Sequence, residues 1–191
     1  EKFTLAEMID VFAWERISLG GPVFDLQKLT WLNEQYIHDM TDEQLADALV
    51  GWRLNNAFLR KLVPLVRQRV KKLDEVIPLT EYFFSGDLDY TPVAAEMKID
   101  GVSNGDLKKA LLAYVEAFEA REGWTVAMLD EVTTRWLEQY QWTQKQGWPI
   151  LRLAISGRKA TPPLFETMVT LGKEITRRRL RRAAEWLGTR K

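Results

Sequence analysis

Four cations fall between Arg67 and Lys72 in the stretch LVPLVRQRVKKLDE, residues 62–75, before the first acid at Asp74. A second basic run, TRRRLRR, sets Arg177, Arg178, Arg181 and Arg182 around a broad helical arc, with only Glu174 and Glu185 nearby in sequence. Cations at this density bind phosphate, and arginine adds bidentate contacts to phosphate and to base edges. A third stretch, ATPPLFE at 160–166, offers the polar Thr161, the rigid Pro162–Pro163 pair and the open amides of a helix N-terminus. That is a place to hold a phosphate or an unstacked base. Enzyme chemistry has less to work with. The chain has no cysteine and one histidine, His38, which argues against thiolate metal sites, a zinc site or a histidine acid–base centre. No P-loop, GxSxG or strand-linked GxGxxG occurs, and the carboxylates fall on helix faces that read as solvated. No catalytic and no metal-ligating residue is assigned.

The charges are segregated although they cancel overall. Residues 1–52 hold 3 Lys/Arg against 10 Asp/Glu, 53–72 hold 7 against 0, 73–151 hold 6 against 14, and 152–191 hold 11 against 3. If folding unites the two basic blocks, they form one positive face on a neutral molecule, the footprint of a polyanion binder. Basic helices that merely pair with the acidic ones are the alternative. A composition 46% hydrophobic and 28% charged is that of a soluble globular chain rather than a disordered one. No apolar run approaches the ~20 residues of a membrane span, no signal-peptide pattern is present, and the cytoplasm is the default compartment. The chain opens on Glu rather than Met, which reads as a piece of something longer.

The elements that must position these residues read as helices throughout. Thr4 with Glu7, and Thr41 with Gln44, form capping boxes, and Asp25 caps a helix lined by Leu26, Leu29, Leu32 and Tyr36. NNAFLRKLVPLVRQRVKKL reads as one helix kinked at Pro64, followed by a short helix with a second kink at Pro78. SGDLDYTPV marks a subdomain boundary. Beyond it come a long amphipathic helix with Asp106 near its start and Gly123 at its end, and a helix striped by Leu129, Val132, Trp136 and Tyr140. A shorter helix enters at Gly147–Pro149, a next one has Thr161 as N-cap and Pro162 at its first position, and a basic helix closes the chain. The expectation is an all-α protein of eight to ten helices in two packed bundles.

Two motifs resemble a known family. FTLAEMIDVFAWERISLGGPVFDLQKLTWLNEQYI is similar to the segment that follows the catalytic domain in bacterial-type glutamyl-tRNA synthetases, where the pattern is F-T-L-x-E-M-I and then P-V-F-D-x-x-K-L-x-W-x-N-x-x-Y-I. GWPILRLAISGRKATPPLFETMVTLGKE resembles the family's P-L-R-x-A-L-T-G-x-x-x-x-P-x-L-F-E-x-x-x-x-L-G-K-E, departing at Ile150, Leu153 and Ser156. The resemblance implies the end of a stem-contact region at 1–40 and helical anticodon-binding subdomains at 41–91 and 92–191. It also implies that the catalytic fold, with its HIGH-type and KMSKS-type ATP signatures, lies outside this sequence. The chain by itself would then be inactive. Glutamate activation, with its ATP and magnesium, would belong to the parent ligase, and this chain, a monomer with no membrane partner and no cofactor of its own, would recognise tRNA(Glu).

Residue by residue, the family's reader of the third anticodon base falls on Arg69. Cytosine offers two adjacent acceptors there, N3 and O2, which suit a guanidinium, whereas guanine offers donors that would face a donor-only side chain. Glutamate and glutamine tRNAs differ at that base, C against G. A bidentate contact is worth about 1–3 kcal/mol of discrimination, so the resemblance implies an enzyme that discriminates the two tRNAs. The family's contacts to the first two bases fall on Arg152, Thr161, Pro162 and Leu164, with Arg135 a weaker candidate. Arg177, Arg178, Arg181 and Arg182 are candidate phosphate contacts or plain surface charge. The reading from another class is a helical protein–protein scaffold whose basic helices meet an acidic partner.

Overall fold

Capping chemistry sets where most helices begin. The computed structural model describes residues 3–17, 20 and 25–190, so Pro22, Val23 and Phe24 of the first motif lie outside the described residues. Among the described residues there are ten α-helices and no strand, an all-α fold as expected. The chain divides into two compact units, residues 1–55 and 56–191.

The first unit holds α1 (Leu5–Val11), α2 (Leu26–His38) and α3 (Asp42–Trp52). Both predicted capping boxes form: the Thr4 hydroxyl accepts the Glu7 N–H at 3.2 Å, and the Thr41 hydroxyl accepts the Gln44 N–H at 3.2 Å. Asp25 caps α2 by accepting the N–H groups of Gln27 and Lys28 at 2.9 and 3.1 Å. No described residue of these helices is buried.

The second unit holds the core. It comprises α4 (Asn56–Val66), α5 (Val76–Thr80), α6 (Asn104–Glu119), α7 (Val126–Gln139), α8 (Gln144–Ser156), α9 (Leu164–Leu171) and α10 (Lys173–Gly188). Helices α6 and α10 pack along each other, where the small Ala110, Ala183 and Ala184 are fully buried and let the backbones approach. Tyr114, Phe118, Leu129, Trp136, Leu151, Met168 and Leu180 fill the centre, and the same cluster takes in Leu62, Tyr82, Phe83 and Tyr90. Two buried polar tips find partners: Trp136 Nε1 donates to Ala110 O at 2.7 Å, and Tyr114 Oη meets Thr133 Oγ1 at 2.9 Å.

Three expected boundaries are corrected. The helix expected to carry the whole first basic run stops at Val66, two residues past Pro64. Proline supplies no N–H to the turn before it, and the Arg69 N–H turns back onto Val66 O at 2.7 Å, so Arg69 lies in a turn rather than on a helix face. Helix α8 begins a turn before the expected Gly147–Pro149 entry, because Thr143 and Gln146 form a capping box. Gly147 is needed inside it: a Cβ there would lie 2.3 Å from Leu137 Cδ2 and 2.9 Å from Trp136 Cζ3, on α7. Finally, Thr161 is not the cap of α9. Pro163 occupies the cap position with no side-chain hydrogen bond, and the Thr161 hydroxyl is engaged elsewhere.

Candidate nucleic-acid interface

Helix α8 ends at Gly157, whose left-handed backbone (φ 67°) would strain any other residue and turns the chain towards α9. Ser156 Oγ donates to Arg152 O at 2.7 Å and accepts the Arg158 N–H at 3.1 Å, which fixes the exit of the helix. Arg152 reaches from α8 to the next segment, where its Nε donates to Thr161 Oγ1 at 3.1 Å. The Thr161 hydroxyl donates in turn to Pro162 O at 2.9 Å. Thr161, Pro162 and Leu164 are all buried, while Arg152 is half-buried. The segment that was expected to cap α9 is thus tied to Arg152. The first amides of α9 are left without a side-chain acceptor.

Arg69 is brought to the same place from a distant part of the chain. It is exposed, and among the described residues no carboxylate pairs with it. Its charge acts on two neighbours. Burial holds the Arg152 guanidinium below the ordinary arginine value, and repulsion from Arg69 adds to this. Burial pushes the Tyr82 phenol up to about 12, against the opposing pull of Arg158, Arg179 and Arg69. Arg69 thus acts on both Tyr82 and Arg152, Arg152 is bonded to Thr161, and Arg158, which also acts on Tyr82, pairs with Glu81. The Arg158 guanidinium also lies over the Tyr82 ring, 5.9 Å from its centroid.

Arg179 holds this grouping together, and sequence reasoning missed it. It is 1% exposed, unlike the four arginines beside it in the same run. Its guanidinium donates to Ile155 O at 2.7 Å, and to Tyr82 O and Ser85 O at 2.6 Å each. It thereby ties α10 to the end of α8 and to the turn that carries Tyr82. The available signal was spacing: position 179 falls on the buried stripe of Thr176, Leu180, Ala183 and Leu187.

The remaining candidates are not drawn into the cluster by any recorded contact. Arg135 pairs with Glu131 at 2.7 Å on its own helix. The expectation that the α10 arginines outnumber their internal partners is corrected. Glu119 of α6 takes Arg177 and Arg181 at 3.2 Å each, and Asp87 takes Arg178 at 3.0 Å and Arg182 at 3.7 Å. Both acids lie far away in sequence, which is why counting neighbours along the chain overlooked them. No described helix is long and apolar enough to cross a membrane.

The arrangement can do one thing well. It presents an unpaired guanidinium, a second one anchored at a hydroxyl, and free helix amides to an anionic or acceptor-rich ligand. Comparison with known proteins bears on the family. A family model described as an anticodon binding domain matches residues 31–184. A glutamate–tRNA ligase of Stutzerimonas stutzeri (strain A1501) is 36% identical over 189 residues, 98% of this chain and 38% of the relative. One from Pseudomonas aeruginosa (strain UCBPP-PA14) is 35% identical over 188 residues, again 98% of this chain and 38% of the relative. The crystal structure of a glutamate tRNA ligase from Elizabethkingia meningosepticum shares the fold, with a TM-score of 0.59 at 19% identity, covering 97% of this chain and 37% of that one. The chain thus spans 38% of the length of these curated relatives, matching their C-terminal portion. With the family match running across both units of a helical scaffold built to present cations, the protein belongs to the anticodon-binding domain family.

Proposed function

We propose that this chain recognises the anticodon of tRNA(Glu) on behalf of a glutamate–tRNA ligase whose catalytic part lies outside the sequence. Arg69 carries the reading: an exposed guanidinium with no internal carboxylate, set beside Arg152 and the Thr161 segment. Arg69 takes the third anticodon base by donating to cytosine N3 and O2, and opposes guanine, whose edge there is donor-rich. Arg152, with Thr161, Pro162 and Leu164, forms the wall against which the first two bases rest. Because the Thr161 hydroxyl and Arg152 Nε engage each other, the Arg152 terminal nitrogens and the α9 amides are the groups offered to RNA. Arg135, Arg177, Arg178, Arg181 and Arg182 supply a weaker phosphate field, since each already has a carboxylate.

In this reading residues 1–40 end a stem-contact region, and 41–91 and 92–191 are two anticodon-binding subdomains. The chain works as a monomer in the cytoplasm and is inactive alone, with ATP and magnesium serving the parent enzyme. The test is binding of unmodified tRNA(Glu) and tRNA(Gln) transcripts across a salt series. The expected result is a preference for the transcript whose anticodon ends in C, and Arg69→Gln narrows it by the equivalent of about 1–3 kcal/mol. Equal affinity for C- and G-ending anticodons removes the role of Arg69. Indifference to any tRNA at low salt ends the reading in favour of an acidic protein partner.

A further inference from the structure

Arg158 lies between Gly157, where α8 ends, and Thr161, on the segment that carries the candidate base contacts. Its position is set from three sides. The backbone N–H donates to Ser156 Oγ at 3.1 Å, the guanidinium stands over the Tyr82 ring at 5.9 Å, and the Glu81 carboxylate pairs with it. Tyr82 is itself anchored by Arg179 through its carbonyl. The result is a pre-placed cation whose one acidic partner among the described residues is exposed: Glu81 is 58% exposed and Arg158 31%.

We propose that Arg158 is a phosphate clamp for the anticodon loop, masked by Glu81 in the free protein and exchanged onto the RNA backbone on binding; this rests on the anticodon reading above. An ion pair this exposed holds weakly and is screened by salt. A phosphodiester, by contrast, takes the guanidinium fork through two charge-assisted hydrogen bonds. The exchange keeps the cation paired in both states and its contact with the Tyr82 ring in place. Each base splayed onto the Arg152–Thr161 wall brings its own backbone phosphate with it. Arg158, three residues before Thr161, borders that wall. Arg69 acts on the same tyrosine, so its charge also favours an incoming phosphate there.

A double-mutant cycle with a tRNA(Glu) transcript across a salt series tests this. Arg158→Gln is expected to weaken binding about tenfold, to do so equally for C- and G-ending anticodons, and to shallow the log–log salt slope by about 0.7. Glu81→Gln is expected to tighten binding several-fold, and that gain should vanish in the double variant. Both side chains are at the surface, and thermal unfolding verifies each fold; if Arg158→Gln fails to fold, the Glu81→Gln arm decides alone. Unchanged or weakened binding in Glu81→Gln overturns the masking. Binding that responds to Arg69→Gln but not to Arg158→Gln overturns the clamp while leaving anticodon recognition intact. A wild-type chain that ignores tRNA at low salt overturns both.

Discussion

Tyr82 sits under the Arg158 guanidinium with its hydroxyl buried and without a hydrogen-bond partner. Thr167 Oγ1 is close enough to act on it but does not meet bonding geometry, and it too is unpartnered. Burial raises the phenol from its ordinary value of 10.0 to about 12. A phenol that keeps its proton longer in the folded chain contributes stability in full below the unfolded value, and loses it as pH climbs through the folded value. Stability should therefore fall between about pH 10 and 12, by up to about 2.7 kcal/mol from this group. Tyr90 and Tyr114 are raised by burial as well, so they add to the same alkaline loss. Tyr82→Phe removes one share of it. Since the hydroxyl has no partner to lose, the variant should match the wild type within about 1 kcal/mol at neutral pH and decline less steeply in alkali. Urea denaturation at neutral pH and at about pH 11 reads both; an equally steep alkaline fall in Tyr82→Phe would show that this phenol is not the group responsible.

At the scale of elements, helix starts set by local chemistry were legible at three places, although the Thr143–Gln146 box that opens α8 was passed over. The boxes at Thr4–Glu7 and Thr41–Gln44, and the cap at Asp25, formed as their spacing demanded. They were illegible where a distant group competes. Thr161 has the residue type of an N-cap, but Arg152 lies one helix away and takes its hydroxyl, which leaves α9 to begin after Pro163. The end of α4 was missed for the opposite reason: the basic residues that follow Val66 have fair helical propensity, yet the chain after Pro64 turns, with Arg69 N–H returning to Val66 O. Arg179 shows what joins the elements once each has formed. It satisfies carbonyls from the turn after α5 and from α8, so α10 and the arginine cluster are held by one side chain. Arg179→Met keeps the apolar stem and removes every donor. It should destabilise the protein by about 3 kcal/mol, because several buried acceptors are left unpaired, and lower its thermal midpoint accordingly. A loss under about 0.5 kcal/mol, the range of ordinary surface substitutions, would mean that water replaces the guanidinium at those carbonyls.

At the scale of the whole molecule, charge segregation pointed to a positive face, and the structure divides that face in two. The α10 arginines are matched by Glu119 and Asp87, whereas Arg69 pairs with no carboxylate among the described residues, a distinction that depends on long-range packing and is invisible along the chain. The stability of the molecule is divided as well. Among the described residues every buried one lies between Leu62 and Leu187, inside the 56–191 unit, and none of 1–55 is buried. The groups proposed to read the anticodon, Arg69, Arg152, Thr161, Pro162 and Leu164, belong to that same unit. Residues 56–191 expressed alone should thus unfold in one cooperative transition, with a midpoint within about 4 °C of the full chain, the shift that about 1 kcal/mol produces in a domain of this size. They should also keep the preference for C over G while losing the helical signal of α1–α3. Calorimetry and the same transcript titrations check the two halves of this expectation. A broad, non-cooperative transition would show that residues 1–55 complete the core. A sharp transition with the C preference lost would instead place part of the reading surface in the first unit.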